Sequence, residues 1–472
     1  MAVLYNIGEN KIRPGLYQRH VNSGNNALVK AQDGICAIAI QASWGPLGKV
    51  LVNSNSSDLT RNYGFGTYGA GYTVPAAAAM FDGGASVVYT YRLGTGGKNA
   101  TLTLTEGLTA TAKYPGTMQI SLSVQSKIGD DTKKQLRVYA GTTLVESFDF
   151  EADSTSEGAN LVSATANSDY ITVSGEAATV PLLAVASGAL TGGENPAVTN
   201  ADYSSAFAAF ETNYYNTIAL DVDDDENMTL SLILQAYMEN AYNLGKMAIA
   251  VVGEKTTVDF ETRLAHSASF NDCKVVYLGG GYKSGSENKD GVMAICYTAG
   301  VIASTPSNQG ITHTTINGAT DLCEKLTFAQ YEQAIKAGML LLSMSTEGII
   351  WYDSGINTLI NPDVGTQDDG WKKIRRVKVR FELIERLDRA LSPKVGKVSA
   401  NSDGIADIIQ TGQRVLDQMA EKEGKLMTGA TFTEDTSNPY SGDSAWFIIQ
   451  ADDVDSLEKI YLQYQFRYSQ NS

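Results

Sequence analysis

Histidine, cysteine and basic charge are all scarce in this sequence. Only three histidines and four cysteines stand among 472 residues. Cys36, Cys273, Cys296 and Cys323 are scattered, none belongs to a C-x-x-C pair, and stretches such as Cys36-Ala37-Ile38-Ala39-Ile40 are apolar. That spacing argues against a Cys/His zinc site and for buried thiols in a reducing compartment. Lys and Arg number 36 against 52 Asp and Glu, a net charge of −16, which argues against nucleic acid as a partner because phosphate binding needs a basic surface. No run approaches the roughly 18 apolar residues of a membrane span. The N-terminus has no basic segment followed by an apolar core, so no signal peptide and no membrane insertion are expected, and assembly is placed in the cytosol. What is present is 43% hydrophobic residues with a mean hydropathy of −0.15, the balance of a soluble globular protein long enough for several domains.

Both ends read as extended arms. Arg13-Pro14-Gly15-Leu16-Tyr17-Gln18-Arg19 precedes a polar Asn/Gly stretch, and Ile460-Tyr461-Leu462-Gln463-Tyr464-Gln465-Phe466-Arg467-Tyr468 alternates with the period of a strand. A terminal strand without a nearby partner is a template for another chain. Leu16, Tyr17, Ile460, Tyr461, Leu462, Tyr464, Phe466 and Tyr468 are therefore expected to pair between subunits.

The interior predicts an α/β and α+β multidomain chain. An N-terminal arm covers 1–30. A discontinuous α/β core covers 31–93 and 197–355, with strands at Cys36–Gln41, Ser86–Arg92, Thr217–Leu220, Met247–Val252 and Lys274–Leu278 between helices. Residues 94–196 are rich in Thr, Ser, Val and Gly, alternate as in Thr101-Leu102-Thr103-Leu104-Thr105, and carry no convincing helix. They read as an inserted all-β sandwich or barrel with glycine-rich borders. Thr327 and Gln330 form a capping-box signature, and strands are expected at Met339–Met344 and Gly348–Tyr352. Residues 356–455 predict a smaller α+β domain with a charged helix over Lys372–Arg389 and a second over Ile405–Leu426, followed by a C-terminal arm at 456–472.

Enzyme-like strings fail on inspection. Gly94-Thr95-Gly96-Gly97-Lys98 lacks the first glycine of a Walker A loop, because Arg92 stands there. An EF-hand begun at Asp221 would need glycine at Glu226 and a carboxylate at Leu232, so Asp221 to Glu226 read as carboxylates at a helix N-terminus. Asp353-Ser354-Gly355 matches both aspartic-protease and subtilisin strings. Yet the last histidine, His313, precedes Asp353, so the subtilisin order of Asp, His, Ser cannot be completed. A plain turn is the preferred reading of Asp353, and structural roles are preferred for His266 and His313. Lys372, Lys373, Arg375, Arg376, Lys378 and Arg380 run straight into Glu382, Glu385 and Asp388, which favours subunit-interface charges over nucleic-acid binding.

Five strings in order resemble those of contractile phage tail sheath proteins. They are Arg13-Pro14-Gly15-Leu16-Tyr17, then Asp82-Gly83-Gly84 through Val87-Val88-Tyr89 to Arg92, then Ala112-Lys113-Tyr114-Pro115-Gly116-Thr117, Leu190-Thr191-Gly192-Gly193, and Gly355-Ile356-Asn357-Thr358-Leu359. Ile374-Arg375-Arg376-Val377 sits where a basic element is usual, whereas Met118-Gln119 departs from the common G-N. The likeness extends to sheaths of myophages of Gram-positive hosts and of phage-tail-like bacteriocin particles. The resemblance implies a subtilisin-like α/β core without protease chemistry, no cofactor, and stacked hexameric rings around an inner tube protein, with baseplate and tail-terminator proteins as further partners. It implies arms that add strands to neighbours, and a C-terminal domain facing the tube, for which Asp407, Arg414, Asp417, Glu421 and Lys422 are the candidate contacts. The competing readings are a non-contractile surface adhesin or assembly module, and a hydrolase using Asp353.

Overall fold

The computed structural model describes residues 3–4, 17–18, 33–69, 71–105, 107–153, 155–175 and 185–466. Leu16 and Tyr468 lie outside them.

A seven-stranded sheet organises the core. Its order is Met339–Leu340, Val275–Leu278, Ile249–Gly253, Thr217–Ala219, Ile35–Ile40, Val87–Arg92 and Val50–Asn53. All neighbours are parallel except the last pair, where Val50–Asn53 runs antiparallel to Val87–Arg92. Strands buried on both faces explain the near-continuous apolar sequences of Ile35–Ile40 and Ile249–Gly253. Cys36, Ile38 and Ile40 join one core with the helices Val74–Asp82 and Val292–Ser304. Ala37 and Ala39 join the opposite core with Asn200–Phe210, Thr229–Asn243 and Phe260–Phe270.

The first of these layers depends on two glycines. A Cβ on Gly300 would stand 2.1 Å from the Met80 carbonyl oxygen, and one on Gly83 would stand 2.1 Å from that of Tyr297. The two helices therefore cross with backbone nearly against backbone, a separation only glycine permits.

The inserted region forms two antiparallel sheets, Thr143–Glu151, Asp130–Ala140, Ile120–Lys127, Val185–Ala189 and Ile171–Gly175, Leu108–Ala112, Thr101–Thr105. Alternate residues Ile120, Leu122 and Val124 meet Leu108, Ala110 and Phe150 in a shared core. Contrary to the sequence reading, this region contains a helix, Glu157–Ala164. Its local sequence includes Gly158 and is a weak helix former. Tertiary contacts supply what propensity lacks: Leu161 is fully buried, and Glu157 pairs with Lys134 at 2.7 Å.

Two further helices of the core are set by their caps. Ser56–Tyr63 is capped by Asn55, which accepts from the Asp58 amide, and Phe260–Phe270 by Asp259, which accepts from Glu261 and Thr262. The expected strand Met339–Met344 divides: Met339–Leu340 joins the large sheet, while Leu342–Met344 pairs with Ile350–Tyr352. The capping box at Thr327 and Gln330 is present in full.

The C-terminal region packs the helices Ile374–Leu391 and Ser402–Asp417 on the hairpin Thr431–Glu434 and Phe447–Gln450. The helix read over Ile405–Leu426 ends earlier, at Asp417, and passes into a π turn, Gln418–Lys422. Ile460 to Phe466 is not a strand in the single chain, because alternation needs a ladder partner and none pairs with it among the described residues.

Candidate assembly interface

The helix Ile374–Leu391 lies between two cores. Ile374, Val377 and Phe381 enter the core under the large sheet, while Val379 and Leu387 enter that of the C-terminal domain. With two sides occupied, its charged residues fall into two stripes at helical spacing.

One stripe is internal. Arg375, Lys378, Glu382 and Arg386 are all buried, which corrects the expectation that this helix carries its charges to a subunit interface. Lys378 Nζ donates to the carbonyls of Ile302 and Thr305, at and just beyond the end of Val292–Ser304, where helix carbonyls lack partners. Burial pushes its ammonium down to about 8. Glu382 accepts from Lys425 at 2.7 and 2.9 Å, from the Ser307 hydroxyl, and from Arg386. Arg386 also reaches Glu423 at 2.7 and 2.8 Å. Burial opposes the Glu423 charge, but donors from Arg386 and Lys425 outweigh it and hold the carboxyl at about 2. Among the described residues Glu385 accepts from the Tyr214 hydroxyl at 2.8 Å and meets Arg389 at 3.8 Å, and burial pushes it up to about 7.

The second stripe grips the chain just before its terminal arm. Arg376 and Arg380 both bind Asp453, Lys373 pairs with Asp455 at 2.8 Å and Glu458 at 3.1 Å, and Arg375 donates to the Val454 carbonyl. From there the chain is exposed. Ile460, Tyr461, Leu462, Tyr464 and Phe466 all face solvent, Tyr461 at 89% and Phe466 at 93% exposure. The segment is thus apolar, alternating, held at its root and exposed along its described length. At the other end, Tyr17–Gln18 pairs in parallel with Val3–Leu4.

Of the candidate tube contacts, Arg414, Asp417, Glu421 and Lys422 are exposed, and Asp407 is half-buried. Asp407, Arg414 and Asp417 line one groove along the helix Ser402–Asp417, where Asp407 is tied to Lys394 at 2.6 Å and Asp417 accepts from Gln413, while Glu421 and Lys422 fall in the π turn.

The acidic run at 221–226 divides by role. Asp224 accepts from the Leu230 and Ser231 amides and Asp225 from those of Asn227 and Thr229, the helix-capping role expected. Asp221 is fully buried instead, accepting from Thr73 at 2.5 Å, Tyr203 at 2.6 Å and the Gln41 amide at 3.2 Å. Burial pushes its carboxyl up to about 6 against those bonds. Asp353 lies in the bend after Ile350–Tyr352, its amide bonded to the Leu341 carbonyl. His313 stacks on Trp351 at 4.4 Å, and His266 pairs with Glu254 at 2.8 Å. Among the described residues, no three His, Cys, Asp or Glu side chains are grouped to hold a metal ion, and no helix is long and apolar enough to cross a membrane.

Three of the recurring strings meet at one junction. Arg92 donates to the carbonyls of Ala42, Gly45 and Pro115. A Cβ on Gly116 would stand 1.9 Å from the Ser43 oxygen, and one on Gly193 would stand 2.1 Å from that of Gly116. The motif spacing thus encodes how the β module seats on the core. Asn357, in a fourth string, donates to the Cys273 and Trp371 carbonyls.

This arrangement, a parallel-sheet core with a seated β module and a bare arm, is that of an assembly subunit. Residues 95–195 match the phage tail sheath protein beta-sandwich domain, and 196–356 match the phage tail sheath protein central domain. The chain belongs to the contractile tail sheath family. It is 23% identical to the phage-like element PBSX protein XkdK of Bacillus subtilis (strain 168), across 97% of this chain and 98% of that one. Its fold is similar to that of the sheath tail protein of Desulfitobacterium hafniense, with a TM-score of 0.72 at 21% identity over 93% of this chain and 100% of that one. It is also similar to the anti-feeding prophage helical sheath in its contracted state, with a TM-score of 0.53 at 10% identity over 97% of this chain and 99% of that one.

Proposed function

We propose that this chain is the structural subunit of a contractile tail sheath, stacking as hexameric rings around an inner tube and contracting to drive that tube through a cell envelope. The observation that carries the reading is the bare apolar arm, Ile460 to Phe466, rooted on a rigid helix. Strand addition to a neighbour's sheet would bury it. Its N-terminal counterpart includes Leu16 and Tyr17, and Tyr468 continues the C-terminal alternation. Contraction breaks no covalent bond, so its free energy comes from subunit packing that is better in the contracted lattice.

The same reading divides the chain into an arm at 1–30, a subtilisin-like core at 31–93 and 197–355, an outward β insert at 94–196, a tube-facing domain at 356–455 and an arm at 456–472. It assigns no enzymatic activity and no cofactor. Tube, baseplate and tail-terminator proteins are its partners, and the particle assembles in the bacterial cytoplasm. Contact with a tube that must slide is polar, and Asp407, Arg414, Asp417, Glu421 and Lys422 are proposed for it.

Deleting 460–472 tests the reading. A folded subunit with an unchanged melting temperature that no longer sediments as tubes is expected, since only intersubunit contacts are lost. Long polymers from the truncated chain overturn it.

A further inference from the structure

The backbone pairing that steers the C-terminal region stops at the arm's root. Asp453 makes an isolated bridge with Leu426, and the Val454 amide donates to the Lys425 carbonyl at 3.0 Å. Past this point the described chain has no regular secondary structure. What fixes its course there is charge. Asp453 accepts four bonds: from Nε and Nη2 of Arg376, the latter at 2.9 Å, and from Nε and Nη2 of Arg380 at 3.2 and 2.9 Å. Four donors fill the acceptor capacity of one carboxylate. The Asp453 side chain is only 5% exposed. Burial opposes its charge, but the two guanidinium groups outweigh it and hold the carboxyl below its usual range.

The cationic half of this clamp is set in place without the arm. Arg380 is also bound by Asp368 at 2.9 and 3.1 Å and lies over the Trp371 ring at 4.6 Å. The helix that presents both arginines is anchored by Ile374, Val377 and Phe381 in the main core. A preformed cationic fork meeting a single buried carboxylate fixes direction as well as position.

We propose that Asp453 is a positioning residue for assembly: it aims the C-terminal arm away from its own subunit, so that Ile460 to Phe466 reaches a second copy of this chain. The proposal rests on the reading of that arm as an intersubunit strand. Without the clamp, the root keeps the partly exposed pairs of Lys373 with Asp455 and Glu458, the apolar arm samples more directions from which a neighbour cannot be engaged, and the entropy of ordering it is added to every assembly step.

The test compares full-length Asp453→Asn and Asp453→Glu with the wild type and with the 460–472 deletion. Amide exchange, melting temperature and sedimentable polymer are measured on each. In Asp453→Asn, exchange of the Val454 amide, which is bonded to the Lys425 carbonyl, is expected to rise about tenfold or more, the loss of at least one charge-assisted bond. The helix Ile374–Leu391 keeps its protection, the subunit still unfolds cooperatively at a melting temperature lowered by the loss of the buried charge, and polymer is lost. Asp453→Glu restores the carboxylate and recovers polymer. Wild-type polymer from Asp453→Asn overturns the clamp, and so does a loss of protection that spreads through Ile374–Leu391 and Thr431–Glu434. If the deletion itself polymerises, the reading of the arm falls and the clamp with it. If the deletion blocks polymer and Asp453→Asn does not, only the clamp falls.

Discussion

Lys425 Nζ lies 2.7 Å from one carboxylate oxygen of Glu382 and 2.9 Å from the other, with the two side chains 9% and 5% exposed. The pair joins the loop after the π turn to the helix Ile374–Leu391 and so ties the C-terminal domain to the frame beneath it. Removing one partner of such a pair leaves a buried charge uncompensated. Because Glu382 keeps Arg386 and the Ser307 hydroxyl, Lys425→Met is expected to cost about 1.5–3 kcal/mol in denaturant unfolding. The surface pair Arg61 with Asp58, whose arginine is 70% exposed, should cost about 0–1 kcal/mol when Arg61 is changed to Ala. Equal costs at the two sites would contradict the assignment.

The crossing of Val74–Asp82 on Val292–Ser304 makes a steric prediction. One methyl at Gly300 meets the Met80 carbonyl, which is backbone and has no rotamer to escape into. Gly300→Ala is therefore expected to destabilise by about 1–3 kcal/mol despite the higher helix propensity of alanine. Calorimetry of the subunit checks it, and an unchanged or raised melting temperature would mean that the helices separate without cost.

Asp221 predicts a pH dependence. Its folded pKa, about 6, stands above the ordinary carboxylate value of 3.8, so ionisation is penalised in the folded state. The penalty is absent below the ordinary value and complete above about 6. Stability from this group therefore rises as pH falls from 7 to 5, by about 1 kcal/mol. The difference between wild type and Asp221→Asn in urea midpoints at pH 5 and pH 7 isolates it. Identical pH responses in the two proteins would remove Asp221 as the source.

The β module should be separable at a defined cost. Trp44 belongs to the core domain, yet its ring stacks on Tyr170 at 5.7 Å and meets Tyr114 edge-on at 5.0 Å, both residues of the module. Replacing 96–195 by a short linker is expected to leave a core that unfolds cooperatively but is weaker by about 1.5–3 kcal/mol, because Trp44 loses its cover. Absence of any cooperative transition would show that the core cannot stand without the module.

Legibility in the sequence followed the range of the interaction. Ile249–Gly253 and Val275–Leu278 are near-continuous apolar runs because both faces of each strand are covered, and the helix at Phe328 announces itself by a Thr and a Gln three residues apart. Such signals lie within a few residues of what they specify. The charges of Ile374–Leu391 gave the helix but not its surroundings. Arg376 looks the same in sequence whether it faces water or Asp453, and its partner lies 77 residues on. The alternation of Ile460 to Phe466 was legible as strand-forming, but a ladder needs a second strand, which none of the described residues supplies. Arg92 and Gly116 were legible only as pieces of recurring strings. Their close approach to Pro115 and Ser43 supplies the physical reason for those strings.

Thr95 and Ala197 exchange backbone hydrogen bonds in both directions, at 3.0 and 3.2 Å. The chain thus leaves the core and re-enters it at a single point, which bears on the order of folding. Closing a loop costs entropy that grows with its length, and pairings between distant segments are slow to form. If the β module folds first, from hairpins that are local in sequence, it delivers its two ends already paired. The segment between Val87–Arg92 and Asn200–Phe210 then behaves as a short turn. The central sheet can condense as though the insertion were not there, and a long excursion in the sequence adds little to the search for the native topology.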